Sequence, residues 1–309
     1  MTLELARLKC FSSSAYVAQL PSGHVFPMSK FADSAQQIRD GRIASVIDPG
    51  IISDVDLFRV HTREYVNSIR TGNYNDLTAL RLGLPWHPTI STRSHAATAG
   101  TLAASRAALR EGIAANLAGG THHAFPDRGE GFCVFNDVAV AIRALQRDEP
   151  FIQVLVVDLD AHQGNATHFI FHDDPNVFCY SVHVGRNYPS RKEPGDVDVE
   201  LERFVDGHIY LERLHETLPG VIARVEPDIA FFIAGVDVHV DDQFGQMRLS
   251  TTQMKQRDEL AIRLLRESKA ATVVVYGGGY NRTPGMTAAL HVQTIQVAAD
   301  WFNQERASG

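Results

Sequence analysis

The residues best suited to chemistry in this chain follow directly after a short apolar run. Residues 154–157 are apolar and mostly β-branched, which predicts a buried strand. Asp158, Asp160 and His162 come next at alternate positions. Side chains alternate between faces along an extended chain, so these three are expected on one side of the strand end. Two carboxylates and an imidazole placed there indicate a metal site at the sheet edge where α/β proteins bind ligands.

A later aspartate and a histidine pair strengthen that prediction. Asp237 follows another apolar run, and with Asp160 and His162 it would give two oxygen ligands and one nitrogen ligand. Three protein ligands leave one position open for water or substrate, which is typical of catalytic zinc, and the same set suits iron(II). The alternative is a helix-capping aspartate beside a buried structural histidine. Asp237 and the adjacent His122 and His123 favour the metal site.

Two glycine-rich segments add groups that could act on a substrate. His122 and His123 follow a Gly-Gly turn, and Tyr280 ends a Gly-Gly-Gly-Tyr run. A histidine beside a metal-activated water can take its proton and later give it to a leaving amine. A tyrosine hydroxyl on a glycine loop can hydrogen-bond the oxyanion of a tetrahedral intermediate. The glycine run could instead cradle phosphate, but it contains no basic residue and no Walker pattern.

Two neighbouring patterns are less specific. Asn136 and Asp137 precede a run of apolar residues and predict a helix N-cap. The segment Asp237-Val-His239-Val-Asp241 could hold a second metal ion, as in binuclear hydrolases. The sequence leaves that second ion open.

Apolar runs alternate with amphipathic stretches along the chain, which predicts an α/β protein. Strands are expected at residues 154–157, 177–182, 229–234 and 272–276, with a weaker candidate at 113–118 whose alanines also suit a helix. Helices are expected at residues 95–111, 136–148, 207–225, 251–268 and 286–302. Because there is no linker, repeat or low-complexity tract, we expect one domain built on a mostly parallel sheet with helices on both faces.

The composition excludes several classes of protein. Of the 309 residues 44% are hydrophobic, enough for a large core. The net charge of -7 argues against a general nucleic-acid binder. No apolar run is long enough to span a membrane, and the N-terminal Leu3, Glu4 and Leu5 do not form the apolar segment of a signal peptide. Three widely spaced cysteines give no disulfide framework, so a cytoplasmic location is expected.

Five motifs, taken together, resemble those of zinc-dependent histone deacetylases. They lie at residues 119–124, 131–137, 158–165, 235–237 and 277–280. They occur in the family's order from about His24 onward, and residues 161–165 and 187–189 are most similar to the class IV branch and its bacterial relatives. The resemblance implies the arginase–deacetylase fold, a parallel sheet of about eight strands in a single catalytic domain over residues 1–309. It also implies hydrolysis of acetyl or longer acyl groups from lysine side chains.

The same resemblance implies a role for each catalytic residue. Asp160, His162 and Asp237 match the ligands of a zinc ion. His123 matches the general base and acid. Tyr280 matches the group that polarises the amide carbonyl.

Further positions match the surroundings of that centre. His122 matches a second histidine, paired with a buried aspartate that is Asp158 here. The residues that match the lining of the acyl-lysine channel are Gly131, Phe132, Tyr188, Gly278 and Gly279. The residues that match a structural K⁺ or Na⁺ site, largely through main-chain oxygens, are Asp158, Asp160, His162, Ser181 and Val182.

Two positions depart from the family pattern. Asn165 lies where many relatives have a carboxylate behind the histidine that corresponds to His123. An amide can orient the ring but adds no negative charge, so a lower pKa is predicted for His123 than with an aspartate there. Lys30 lies where many relatives have an arginine near the pocket floor, which leaves the shape of the acyl pocket open.

Other functions compete with lysine deacylation. The same chemistry could act on acetylated polyamines or another small amide instead of an acyl-lysine peptide or protein. A nucleotide-sugar transferase could use Asp158 and Asp160 as a metal pair, but it gives His122 and His123 no role. A non-catalytic acyl-lysine-binding module should lack a ligand, the base or the tyrosine. Because all of them are present, the sequence favours catalysis.

Overall fold

The computed structural model describes residues 6–308. Leu3, Glu4 and Leu5, which bear on the signal-peptide prediction, lie outside the described residues. The strands are β1 Lys9–Phe11, β2 Ser45–Ile47, β3 Ile113–Asn116, β4 Val154–Asp158, β5 Val177–Val184, β6 Val197–Leu201, β7 Ile229–Ala234 and β8 Ala271–Tyr276. The helices are α1 Lys30–Asp40, α2 Asp54–Leu57, α3 Arg63–Thr71, α4 Asp76–Leu82, α5 Pro88–Glu111, α6 Asp137–Asp148, α7 Asn165–Phe171, α8 Gly207–Val225, α9 Thr251–Glu267 and α10 Met286–Ser308.

One parallel sheet organises the described part of the chain. Its eight strands run in the order β2-β1-β3-β8-β7-β4-β5-β6, and every neighbouring pair is parallel. The central strands are buried along their whole length, as expected for a sheet covered on both faces. Helix α5 packs on β3 and β8 from one side, while α9, flanked by α8 and α10, packs on β7 and β8. The predicted single-domain α/β fold is confirmed.

The predicted elements are present, but the structure also contains helices α1 to α4 and α7, which were not predicted, and it differs in two further ways. The four main strands, the weaker candidate at β3 and the five helices all occur. Helix α5 begins at Pro88, well before the predicted start, because His87 caps its first turn and proline suits the first helical position. Strands β1, β2 and β6 were not predicted. The first two have three residues each, too few for an apolar period, and β6 lies at the sheet edge with a partly exposed face.

The four central strands position the candidate site. Strands β3, β8, β7 and β4 are neighbours, and their carboxyl ends carry the loops with the motifs at residues 119–124, 277–280, 235–237 and 158–165. Parallel strands end at the same edge, so residues far apart in sequence meet there. No helix within residues 6–308 has the length and apolar character needed to cross a membrane.

Candidate active site

Three predicted metal ligands converge at the ends of β4 and β7. One ligand atom from each of Asp160, His162 and Asp237 lies within 4.8 Å of the others, and all three side chains are buried. The Nδ1 atom of His162 lies 3.1 Å from Oδ1 of Asp160 and 2.9 Å from Oδ2 of Asp237. Within the described residues this is the one such cluster of histidine, cysteine and acidic side chains.

The chemistry of this cluster fits a divalent cation. Burial and the neighbouring Asp160 raise the pKa of Asp237 to about 7, because two crowded carboxylates are costly in a buried site. A divalent ion would cancel both negative charges, and the imidazole adds affinity for zinc or iron(II) over magnesium or calcium. The donor set therefore suits a catalytic metal with a free coordination position.

Backbone groups hold the ligands in place. The amide of Gly278 donates to Oδ2 of Asp160 at 2.6 Å, and the amide of Ala161 donates to Oδ1 of Asp237 at 3.0 Å. A Cβ atom at Gly278 would lie 2.2 Å from Oδ2 of Asp237, so this close approach requires glycine.

A buried arginine ties the two ligand-bearing strand ends together from behind. Arg257, on α9, donates from Nη1 to the carbonyls of Leu159 at 3.2 Å and Gly235 at 2.6 Å. These carbonyls adjoin the segments that carry the ligands. No sequence pattern indicated this residue, because a single arginine in an amphipathic helix is usually solvent-exposed.

The histidine pair lies beside the cluster, and each ring has a different partner. His122 donates from Nδ1 to Oδ2 of Asp158 at 2.6 Å, and its Nε2 lies 3.9 Å from Oδ1 of Asp160. His123 has its Nδ1 atom 2.8 Å from Oδ1 of Asn165, the first residue of α7. Since an amide oxygen accepts, Nδ1 of His123 carries the proton and Nε2 is left free as a base.

These partners give the two rings opposite pKa shifts. Burial disfavours a charged His122, but the carboxylates of Asp158 and Asp160 outweigh it and raise the pKa of His122 to about 9. Burial lowers the pKa of His123 well below 6.5, the charge on His122 lowers it further, and the bond to Asn165 offsets only part of this. One ring is therefore cationic and the other neutral at pH 7.

Tyr280 projects into the same cavity from the loop after β8. Its backbone amide donates to Oδ2 of Asp242 at 2.6 Å, which fixes the residue at the loop's end. Burial and the carboxylates of Asp160 and Asp237 raise the pKa of the Tyr280 hydroxyl well above 10.0. The hydroxyl therefore stays protonated and can donate a hydrogen bond.

A cavity of about 390 Å³ connects these groups to the surface. Phe132, Tyr188 and Gly131 line it, and the ring of Tyr188 stands edge-on to that of His123 with centroids 4.9 Å apart. Gly131 has φ +53°, and a Cβ there would lie 2.8 Å from the ring of His123, so glycine keeps the passage open.

The two glycines predicted for this channel differ in position. Gly278 lines the cavity. Gly279 does not, and a Cβ there would meet Val236 at 2.4 Å and Thr287 at 2.9 Å. The structure thus places Gly279 against Val236 and Thr287 and not among the residues that line this cavity.

Comparison with known proteins identifies the family. The histone deacetylase domain matches residues 24–295. The chain belongs to the histone deacetylase family. It is 39% identical over 290 residues to an uncharacterised protein of Picosynechococcus sp., covering 93% of this chain and 97% of that protein. It is 30% identical over 262 residues to acetoin utilization protein AcuC of Bacillus subtilis, covering 76% and 67%, and 26% identical over 299 residues to histone deacetylase 2 of Arabidopsis thaliana, covering 88% and 73%.

Solved structures of this family share the fold. A histone deacetylase homologue complexed with SAHA superposes with a TM-score of 0.80 at 23% identity, covering 96% of this chain and 84% of that one. The HDA15 HD domain gives a TM-score of 0.78 at 19% identity, covering 97% and 93%. The arginase–deacetylase fold is thus confirmed, and as a family member the chain is a hydrolase of the deacetylase type.

The remaining predicted positions lie at the back and the edge of the deacetylase site. Asp158 and Ser181 face each other in register on β4 and β5, and all five residues of the predicted monovalent-cation site are buried. His239 and Asp241 lie outside the metal cluster. Nδ1 of His239 is 2.8 Å from Oδ1 of Asn281, and the Asp241 carboxylate accepts from the backbone at residue 283. The described residues thus offer no second metal cluster there.

Sequence reasoning missed an acidic residue that holds the histidine-bearing loop in place. Asn136 caps α6 as predicted, accepting from the amide of Ala139. Its neighbour Asp137 does more, because its carboxylate accepts from the amides of Gly120 at 3.2 Å and Thr121 at 2.8 Å, just before the histidine pair. Its place beside a capping residue in the sequence gave no sign of this role.

Proposed function

We propose that the chain is a metal-dependent deacylase that removes acetyl or longer acyl groups from lysine side chains, with residues 1–309 forming a single catalytic domain. The observation that carries this proposal is the convergence of the Asp160, His162 and Asp237 cluster with a neutral histidine, a cationic histidine and a protonated tyrosine at one cavity. Each of these groups has a distinct task in amide hydrolysis. A non-catalytic binding module has no need of them.

Asp160, His162 and Asp237 would hold the metal. When bound, a zinc or iron(II) ion supplies a Lewis acid for the amide carbonyl and lowers the pKa of the attacking water. A K⁺ or Na⁺ ion at Asp158 and Ser181, with the neighbouring main chain, would steady the ligand-bearing segment from behind.

The proton moves through His123. The ring is neutral, its Nε2 is unprotonated and its Nδ1 is held by Asn165. It takes the proton from water at Nε2 as the carbon–oxygen bond forms. It then gives that proton to the lysine nitrogen as the carbon–nitrogen bond breaks. His122, kept cationic by Asp158, adds positive potential next to the developing negative charge without entering the transfer.

Tyr280 and the channel complete the site. The protonated hydroxyl donates to the oxyanion, and the glycine loop places it at the cavity wall. Phe132 and Tyr188 provide an apolar passage for the lysine stem, which limits water around the reacting amide. The proposed partners are therefore an acyl-lysine peptide or protein, or a small acylated amine of similar shape. Neither a nucleic acid nor a membrane is proposed.

The test combines metal content with acyl-lysine turnover. The full chain is incubated with peptides bearing acetyl, crotonyl, octanoyl or myristoyl lysine and with N-acetylated polyamines, with and without chelator, and the released amine is measured. We expect chelator-sensitive release from peptides and about one metal per chain. Release from acetylated polyamines alone would show that the substrates are small acylated amines. No release from any compound would refute the proposal.

A matched pair of variants separates the metal cluster from its surroundings. Asp237→Asn should lose both bound metal and turnover, because it removes a ligand. Asp241→Asn, on the same loop but outside the cluster, should keep both. Equal loss of metal in the two variants would point to a second ion held by this segment.

A further inference from the structure

Two buried cations lie at the inner end of the deacetylase cavity. Lys30, the first residue of α1, and Arg93, on α5, are each 3% exposed, and both line the cavity. The mechanism proposed above uses neither of them. We name this inner end, formed by Lys30, Arg93, Phe26, Phe31 and the loop at Gly277, the cationic floor.

The contacts of the two cations leave them without an acidic partner. Nζ of Lys30 donates to the carbonyl of Gly277 at 3.2 Å and lies 5.3 Å from the ring centroids of Phe26 and Phe31. The Arg93 guanidinium lies 4.8 Å from the ring of Phe31 and 5.6 Å from that of Phe26, and its Nε has no hydrogen-bond partner. Within the described residues neither side chain forms an ion pair.

Acidic groups act on the two cations only over a distance: Asp160, Asp237 and Asp242 attract Lys30, and Asp137 attracts Arg93. The carboxylate of Asp137 accepts from the backbone amides next to the histidine pair, and Asp160 and Asp237 would be neutralised by a bound metal ion. Buried charges without a counter-charge are costly and are normally paired or bind a ligand. The aromatic faces offset part of that cost. An anion bound in the cavity would offset the rest.

The floor lies on the acyl side of the reacting amide. The glycine loop contacts both the cationic floor and the metal cluster. The carbonyl of Gly277 accepts from Lys30, and the amide of Gly278 donates to Asp160. The lysine side of a substrate must leave through the exposed rim, where Tyr188 lies. The acyl chain therefore points inward, towards the part of the same cavity that Lys30 and Arg93 line.

We propose that the cationic floor binds the distal carboxylate of a short dicarboxylic acyl group, such as succinyl or glutaryl, on the substrate amine. This inference rests on the proposed function and names its substrate class. The reaction remains a hydrolysis: water adds across the amide, a carbon–oxygen bond forms, the carbon–nitrogen bond breaks, and a dicarboxylate and an amine leave. Lys30 and Arg93 take no part in the bond changes.

The decisive comparison in the test is between two acyl groups of the same size, one charged and one neutral. Four forms of one lysine peptide are hydrolysed by the full metal-loaded chain: acetyl, butyryl, succinyl, and succinamyl, the neutral terminal amide of succinyl. We expect kcat/KM for succinyl to exceed that for succinamyl by about ten- to a hundred-fold, the range given by hydrogen bonds to charged groups in buried sites.

Variants assign that preference to the floor. Lys30→Met and Arg93→Met should each reduce the succinyl-to-succinamyl ratio towards one while retaining butyryl turnover. Lys30→Arg keeps the positive charge and should retain the ratio, which shows that an effect of Lys30→Met is not simple misfolding. A readout without turnover is the binding of glutarate by calorimetry, which should weaken in Lys30→Met relative to Lys30→Arg.

The outcomes separate this inference from the proposed function. A ratio of one or less in the unaltered chain, with acetyl peptide hydrolysed, would overturn the carboxylate pocket and keep the deacylase. If acetate inhibits the chain and the floor variants relieve that inhibition while the ratio is one, the floor receives only the ordinary product, which also overturns it. Failure to hydrolyse any peptide would refute the deacylase, and absence of glutarate binding would then refute the pocket independently.

Discussion

His122 and His123 are adjacent in sequence and almost equally buried, yet they differ in partner and in charge. The ring of His122 faces the carboxylate of Asp158 at 2.6 Å, and the ring of His123 faces the amide of Asn165 at 2.8 Å. Burial disfavours the charged form of both. Only His122 has carboxylates close enough to reverse that effect, so the partner behind each ring decides its protonation state.

The difference in protonation gives separate catalytic roles to two rings whose centroids are only 4.1 Å apart. A general base must be neutral at the working pH, and a permanent cation is useful only for the charge it adds. If both rings had carboxylates, the pKa of His123 would rise and this ring could accept a proton only at higher pH. If both had amides, the site would lose its fixed positive charge.

The largest effect should follow from removing the neutral ring. His123→Gln should lower kcat by about 10²- to 10⁴-fold, the usual contribution of a positioned acid–base group. Metal content should be unchanged, because the ring does not belong to the ligand cluster. Steady-state kinetics and metal analysis check this. His122→Gln is the matched control and should lose less activity; a larger loss in His122→Gln would reverse the assignment of the two rings.

Tyr280→Phe should cause a loss of activity that does not depend on the rings of His122 and His123. Removing the hydroxyl should lower kcat by about 10²- to 10³-fold, because one donor to the oxyanion is lost. The bound metal and the shape of the pH profile should stay as they are, since the charge on both histidines is retained. A changed pH profile, measured across pH 5 to 9 by kcat/KM, would mean that the tyrosine and His123 titrate together and would contradict their separate roles.

The next change gives His122 the same kind of partner as His123. Asp158→Asn should lower the pKa of His122 from about 9, because burial then acts against a ring that has lost its nearest negative charge. We expect kcat to fall by about 10- to 100-fold, as for other partners that orient active-site groups. Titration of the His122 ring by NMR measures the pKa directly.

Ser181→Ala serves as the control for that variant. Asp158 also belongs to the proposed monovalent-cation site, and Ser181 shares that site without contacting His122. An equal loss of activity in Ser181→Ala would attribute the effect to the cation and not to the charge on His122.

The partners that distinguish the two rings could be found in the sequence because they are local. Asp158 and Asn165 lie in one short segment after an apolar strand, where alternation and the family pattern point to chemistry. The order of the parallel strands then brings this segment to the histidine loop. Fold class, metal ligands and histidine partners were predicted in this way.

The family pattern placed Lys30 near the pocket floor, but the rest of the cationic floor could not be found by the same reasoning. Arg93 lies in the long helix α5, where a single arginine among small residues carries no pattern. Its burial depends on how α5 packs against Phe26 and Phe31, which are distant in sequence. The edge strands β1 and β2 were missed for a related reason, since three residues show no period and their pairing comes from tertiary packing.

The last change reverses the comparison by giving His123 the partner of His122. Asn165→Asp places a carboxylate where the amide now lies 2.8 Å from Nδ1, which stabilises the imidazolium and raises the pKa of His123. Because the base must be deprotonated, the acidic limb of kcat/KM should move to higher pH. Activity above the new pKa should change little. At alkaline pH this variant should therefore lose the least activity of those described here. An unshifted limb would mean that Asn165 only orients the ring, and the contrast between the two histidines would then rest on burial and on His122 alone.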